Sequence, residues 1–135
     1  MARYTLSNLR DDVEDVAPKF GMPPGMEARF ASRDLGLSRC GVSLQKLAPE
    51  GTQPFGHSHR EQEELYVIVA GGGKVKLDDE VVDVRAWDAV RVEPGVTRAF
   101  SAGPDGLELL AFGAPGPDDG SADVEMTPGW WDGPA

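Results

Sequence analysis

The sequence has one cysteine, Cys40, which excludes an internal disulfide and fits a reducing compartment. The ordinary fate of such a thiol is inert packing. Cationic side chains are scarce: 13 Lys and Arg stand against 23 Asp and Glu, for a formal net charge of -10. That balance sets the chain against phosphate backbones and anionic bilayer surfaces, so neither nucleic acid nor a membrane is an expected partner. Long apolar runs are missing as well. The longest, Leu65 to Ala70, falls far short of the ~20 residues that cross a bilayer. Met1 to Arg10 has no apolar core of the kind that directs secretion, and together with Cys40 this makes a cytoplasmic protein the expectation. Histidine is rare too, with only His57 and His59 in the chain.

Turn formers are plentiful. Seventeen glycines and 11 prolines in 135 residues imply many short elements in one domain-sized chain. Leu9, Val13, Val16 and Phe20 recur at spacings of four, three and four, which predicts a short helix opened by Asn8 and closed by Pro18 and Gly21. The period then changes to alternation. Strands are expected over 27–31, 41–47, 63–69, 74–77, 81–85, 89–92, 97–101 and 107–112, with turns at Gly71-Gly-Gly73 and Gly103-Pro-Asp-Gly106. Three segments follow: an N-terminal helix and linker (1–26), a barrel (27–112) and an extended C-terminal tail (113–135). Trp130 and Trp131 would anchor that tail on apolar surface, by preference the chain's own barrel.

The chemistry concentrates between Gly51 and Gly71. Residues i and i+2 of a strand share a face, so His57 and His59 send both imidazoles into one space, and Glu64 opens the next strand. Tyr66 and Ile68 share Glu64's face. Two imidazoles and a carboxylate make a donor set for a divalent transition metal. A bare His-x-His is weak evidence, since solvated histidines are the commoner case.

The spacing carries more weight: Gly51, five residues, His57-Ser-His59, four residues, Glu64, six residues, Gly71. This resembles the first motif of the cupin superfamily, over roughly Glu27 to Phe112, and implies an all-β double-stranded β-helix, a jelly-roll barrel. The resemblance also implies a homodimer. The superfamily's second motif keeps only Gly95 here, with Trp87 at its first Gly, Glu93 at its Pro, Ala102 at its Asn and Arg98 at the fourth metal ligand. A guanidinium stays protonated and offers donors only, so Arg98 cannot ligate a metal. Three arrangements are open: Arg98 turns away, it faces an anionic ligand, or it pairs with Glu64.

Two functions follow. In the first, the pocket binds a small anionic molecule through Arg98 and His57, with Tyr66 and Phe100 as lining aromatics. In the second, His57, His59 and Glu64 hold one Fe, Mn, Ni or Zn ion in a dioxygenase-type or isomerase-type enzyme. Whether a metal is bound, and whether catalysis occurs, stays open at the level of sequence. Aromatics in a barrel are more often core than ligand contacts, and Trp87, Tyr66 and Phe100 carry that expectation. Arg60, Glu61, Glu63 and Arg91 read as solvated surface.

Overall fold

The alternating segments form strands that curl into one sheet. In the computed structural model, which describes residues 3–114 and 123–131, the strands are β1 (Glu27–Phe30), β2 (Gly41–Leu47), β3 (Phe55–His59), β4 (Glu64–Leu77), β5 (Glu80–Arg85), β6 (Ala89–Val92), β7 (Arg98–Gly113) and β8 (Val124–Pro128). A short helix α1 (Ser32–Leu35) follows β1. All strand pairs are antiparallel, and β7 is the spine: it pairs with β2, β3 and β4.

Period-two alternation decides which side chains are buried. Tyr66 and Ile68 on β4 and Leu107, Leu109 and Ala111 on β7 face inward and are buried, with Val75, Val92 and Phe100 beside them. Their neighbours Leu65 and Phe112, one residue out of phase, stand partly exposed on the outer face. This is the all-β double-stranded β-helix that the sequence implies, and it closes over the face carrying Glu64.

Four local features differ from expectation. The N-terminal helix shrinks to one 3-10 turn, Ala17–Phe20. Upstream of it, side chains take over backbone donors: Asn8 Oδ1 accepts from the N–H groups of Arg10 and Asp11, and Asp15 Oδ1 accepts from Ala17 and Ala28. Such local bonds compete with a helix, and Pro18 cannot donate within one. Val13 and Ala17 are buried, whereas Phe20 is half exposed.

The glycine segments are not turns. Strands β4 and β7 run through them, paired with register shifts between Ile68 and Ala70 and between Gly71 and Gly73. A Cβ at Gly73 would lie 2.0 Å from the Ser101 carbonyl oxygen, so glycine here permits close backbone approach at a bulge.

Within the C-terminal segment, β8 pairs with β3 from Phe55↔Pro128 to His59↔Val124. Trp130 lies on its own barrel: its indole N–H donates to the Lys76 carbonyl at 3.4 Å, and the Lys76 ammonium is 4.7 Å from its ring centre. Trp87, expected in the core, is 76% exposed. It occupies a left-handed backbone position (φ 75°) between β5 and β6, where the second motif has glycine, and its side chain faces solvent.

Candidate functional site

His57 and His59 lie on β3, and Glu64 lies at the start of β4, across the loop 60–63. Their donor atoms all fall within 4.8 Å of one another. Both imidazoles present Nε2 to the same carboxylate oxygen, Glu64 Oε1, from 3.3 Å for His57 and 3.2 Å for His59. The two rings stand edge to face, with centroids 5.2 Å apart.

Arg98 is completely buried, and of the three arrangements open to it the structure shows pairing with Glu64. One guanidinium nitrogen donates to Glu64 Oε1 at 2.7 Å, Nε donates to the Tyr66 hydroxyl at 3.0 Å and the third nitrogen donates to the Val96 carbonyl at 2.8 Å. The Tyr66 hydroxyl donates in turn to Glu64 Oε1. Arg98 and Tyr66 therefore stand behind the carboxylate rather than in front of it. Phe100 packs against the Tyr66 ring, centroids 5.0 Å apart, and is buried as well. Of the four residues expected to touch a ligand, the cavity in front of Glu64 is lined by His57, while Arg98, Tyr66 and Phe100 lie in the wall behind.

That cavity has a volume of about 270 Å³. Its floor is His57, His59 and Glu64, and its walls include Phe20, Phe30, Phe55, Met22, Met126 and Val124. One edge is polar: Gln53 donates to Gln45 Oε1 and Gln45 donates to Ser43 Oγ, each at 3.1 Å. Sequence reasoning missed these walls. Phe20 and Phe30 come from separate segments whose rings meet only in space, 6.4 Å apart, and no local pattern announces that meeting.

Asp123, in the segment read as a tail, was missed too. Its carboxylate is buried, with Oδ1 accepting from the N–H groups of Arg60 and Glu61 and Oδ2 accepting from Gln62. It closes the loop between β3 and β4, and Oδ2 lies 3.5 Å from His59 Nδ1. Arg60, Glu61, Glu63 and Arg91 are exposed, as expected of solvated surface.

Burial alone would raise the Glu64 carboxyl, but the contacts from His57, His59 and Tyr66 outweigh it and hold the group far below its usual 4.5. Burial is also the main influence on His57, lowering it below 6.5 and favouring the neutral ring. Burial, then the Glu64 charge, pushes the Tyr66 phenol up, so it remains a donor. As pH falls below 6.5 the unfolded chain takes up a proton on His57 before the folded chain does, and below 4.5 the same holds for Glu64. Both effects cost stability in acid. Metal-free protein should lose melting temperature from pH 7 to 5.5 and more steeply below 4.5, and His57→Gln should lessen the first loss. A flat profile across pH 7 to 5.5 would contradict this.

Residues 43–112 match the cupin domain family. No curated protein matches the sequence. Among solved structures, a cupin protein from Bacteroides fragilis is 25% identical over 87% of this chain and 89% of its own, with a TM-score of 0.68. The polyketide cyclase RemF from Streptomyces resistomycificus is 17% identical over 92% of this chain and 84% of its own, with a TM-score of 0.70. KdgF from Halomonas sp. is 20% identical over 88% and 98%, with a TM-score of 0.61. At the identities of the last two, the likeness speaks for the fold alone. The matched stretch runs from the third residue of β2 to all but the last residue of β7 and so includes both the histidine pair and the strand bearing Arg98; this chain belongs to the cupin domain family.

Proposed function

We propose that the chain binds a small, largely apolar molecule bearing one acidic oxygen group, against a divalent transition metal held by His57, His59 and Glu64. The observation that carries this reading is the convergence of two imidazole Nε2 atoms on one carboxylate oxygen at the end of an apolar cavity. Ligands each ~2.1 Å from a shared ion stand roughly 3.0 to 3.4 Å apart, depending on the angle between them. The spacings of 3.2 and 3.3 Å fall in that range, and the nitrogen and oxygen donor types suit Fe, Mn, Ni or Zn.

His59 supports the same fit. It lies between Glu64 and Asp123, so either neutral tautomer points one ring lone pair at a carboxylate. A cation between Nε2 and Glu64 removes that conflict. Arg98 adds a positive charge behind Glu64, and Asp123 offsets it. With a divalent ion bound the cluster carries one positive charge in excess, which favours an anionic ligand group at the floor. The acidic group is thus expected to meet the His57 and His59 side of the site and not Arg98. When bound, the ion would supply Lewis-acid polarisation of that oxygen.

A metal-free binding pocket is the second reading, favoured by the Arg98–Glu64 ion pair, which satisfies the carboxylate on its own. Elemental analysis of untagged protein purified without chelators separates the two. The proposal expects about one transition-metal ion per chain in wild type and loss of that ion in His57→Ala, since binding depends on the full donor set. Metal-free wild type that stays metal-free after incubation with Fe(II), Mn, Ni and Zn salts would overturn it.

A further inference from the structure

His59 is not an isolated ligand, because each of its two ring nitrogens faces a carboxylate, Nε2 toward Glu64 at 3.2 Å and Nδ1 toward Asp123 at 3.5 Å. For His59 the neighbour of Nδ1 is Asp123 Oδ2 at 3.5 Å, and that nitrogen is buried without a hydrogen-bond partner among the described residues. Asp123 is itself 5% exposed and fixed by three backbone N–H groups, from Arg60, Glu61 and Gln62. These three residues, with Glu63, join the strand carrying His59 to the strand carrying Glu64. A single carboxylate from the far end of the chain therefore touches one donor and fixes the loop that sets its distance from another.

We propose that Asp123 is a positioning residue for the floor of the pocket: it holds the ring proton of His59 on Nδ1 and so turns the Nε2 lone pair toward Glu64. A carboxylate accepts and never donates when ionised, so it stabilises one tautomer only. The consequence for metal binding rests on the reading given above, whereas the tautomer itself does not. An imidazole whose distal N–H is held by a carboxylate is oriented before the ion arrives, and loss of such a partner typically weakens binding about 10- to 100-fold.

Two substitutions separate positioning from loop anchoring. In Asp123→Asn, the remaining oxygen keeps the Arg60 and Glu61 N–H groups when it takes the place of Oδ1. The amide nitrogen then takes the place of Oδ2, faces His59 Nδ1 as a donor and favours the proton on Nε2, pointed at the metal position. In Asp123→Ala all three loop bonds are lost, but nothing opposes the correct tautomer. Loop anchoring alone makes Ala the more damaging change for zinc binding, and positioning makes Asn the more damaging one.

The test is titration of metal-free protein with zinc ion, alongside imidazole 15N shifts of His59 with and without zinc and melting temperatures for all three proteins. The expected result is a proton on Nδ1 in wild type, a shift toward Nε2–H in Asp123→Asn, and a zinc affinity roughly 10- to 100-fold lower for Asn than for wild type and lower than for Ala. An Asn variant that binds zinc as tightly as wild type, or more tightly than Ala, overturns the assignment. If wild type binds no zinc, that ion drops out of the metal reading, which falls whole only if Fe(II), Mn and Ni fail as well. The assignment then stands or falls on the 15N shifts of the metal-free proteins, where an unchanged His59 tautomer in Asp123→Asn rejects it. Should Asn fail to fold, a wild-type His59 protonated on Nε2 rejects it equally.

Discussion

Arg98→Ala is expected to lower the stability of the metal-free protein by about 3 to 5 kcal/mol, the usual consequence of breaking a buried ion pair from one side. Three partners lose their donor at once: the Glu64 carboxylate, the Tyr66 hydroxyl and the Val96 carbonyl. None of them can recover it from water easily, because Arg98 fills fully enclosed space. For a chain of this size that is a fall in melting temperature of roughly 10 to 20 °C. Arg98→Lys should rescue little, since a single ammonium cannot reach three acceptors arranged around a planar fork. Removing Glu64's charge as well, in an Arg98→Met, Glu64→Gln double variant, should cost less than the sum of the single changes. Denaturant unfolding of wild type, Arg98→Ala, Arg98→Lys, Arg98→Met, Glu64→Gln and the double variant measures this, and an Arg98→Ala variant within about 1 kcal/mol of wild type would contradict the burial argument. Added zinc should stabilise Arg98→Ala more than wild type, because the competing charge is gone.

The second large effect concerns the seam between β4 and β7. A Cβ on residue 73 would fall 2.0 Å from the Ser101 carbonyl oxygen and 2.9 Å from Ala102 Cα. Those are backbone atoms of the spine strand, so no side-chain rotation relieves the overlap. Gly73→Ala should therefore cost more than about 4 kcal/mol or prevent folding, in the class of changes that strain a core rather than trim it. Gly103 lies in the same bulged region, but its nearest such contact is 3.5 Å and its backbone is not left-handed. Gly103→Ala is expected to stay within about 1 kcal/mol of wild type. Equal losses for the two variants would mean that close approach is not what requires glycine at position 73.

The contrast between those two glycines also explains what the sequence made legible. The expected bounds of β2 and β6 match to the residue, and in β6 period two is plain, with Val90 and Val92 less exposed than Ala89 and Arg91. The same signal failed at Gly71 to Gly73, where a triple glycine reads as a turn yet serves a bulge within a continuous strand. At the N-terminus a helical period was present, but Asn8, Asp15 and Pro18 claimed the backbone instead. The floor of the site was visible early, since His57, His59 and Glu64 lie within eight residues of one another. Arg98 was visible only as a departure from a motif. Asp123 and the aromatic walls were not visible at all, since they join the pocket through contacts between segments far apart in the chain. Alternation of Val124 with Met126 was the one local hint that the tail is a strand.

None of the described helices is long and apolar enough to cross a membrane, which agrees with the short apolar runs of the sequence. Apolar side chains fill the barrel interior and line the cavity, while others, Trp87 and Leu65 among them, stand on the outer surface.

Anomalous diffraction from crystals grown with zinc or cobalt tests the metal centre most directly. One strong peak per chain is expected within about 2.3 Å of His57 Nε2, His59 Nε2 and a Glu64 oxygen, with Arg98 still enclosed behind the carboxylate. No peak at that position, with Glu64 Oε1 still touching both imidazoles, would contradict it.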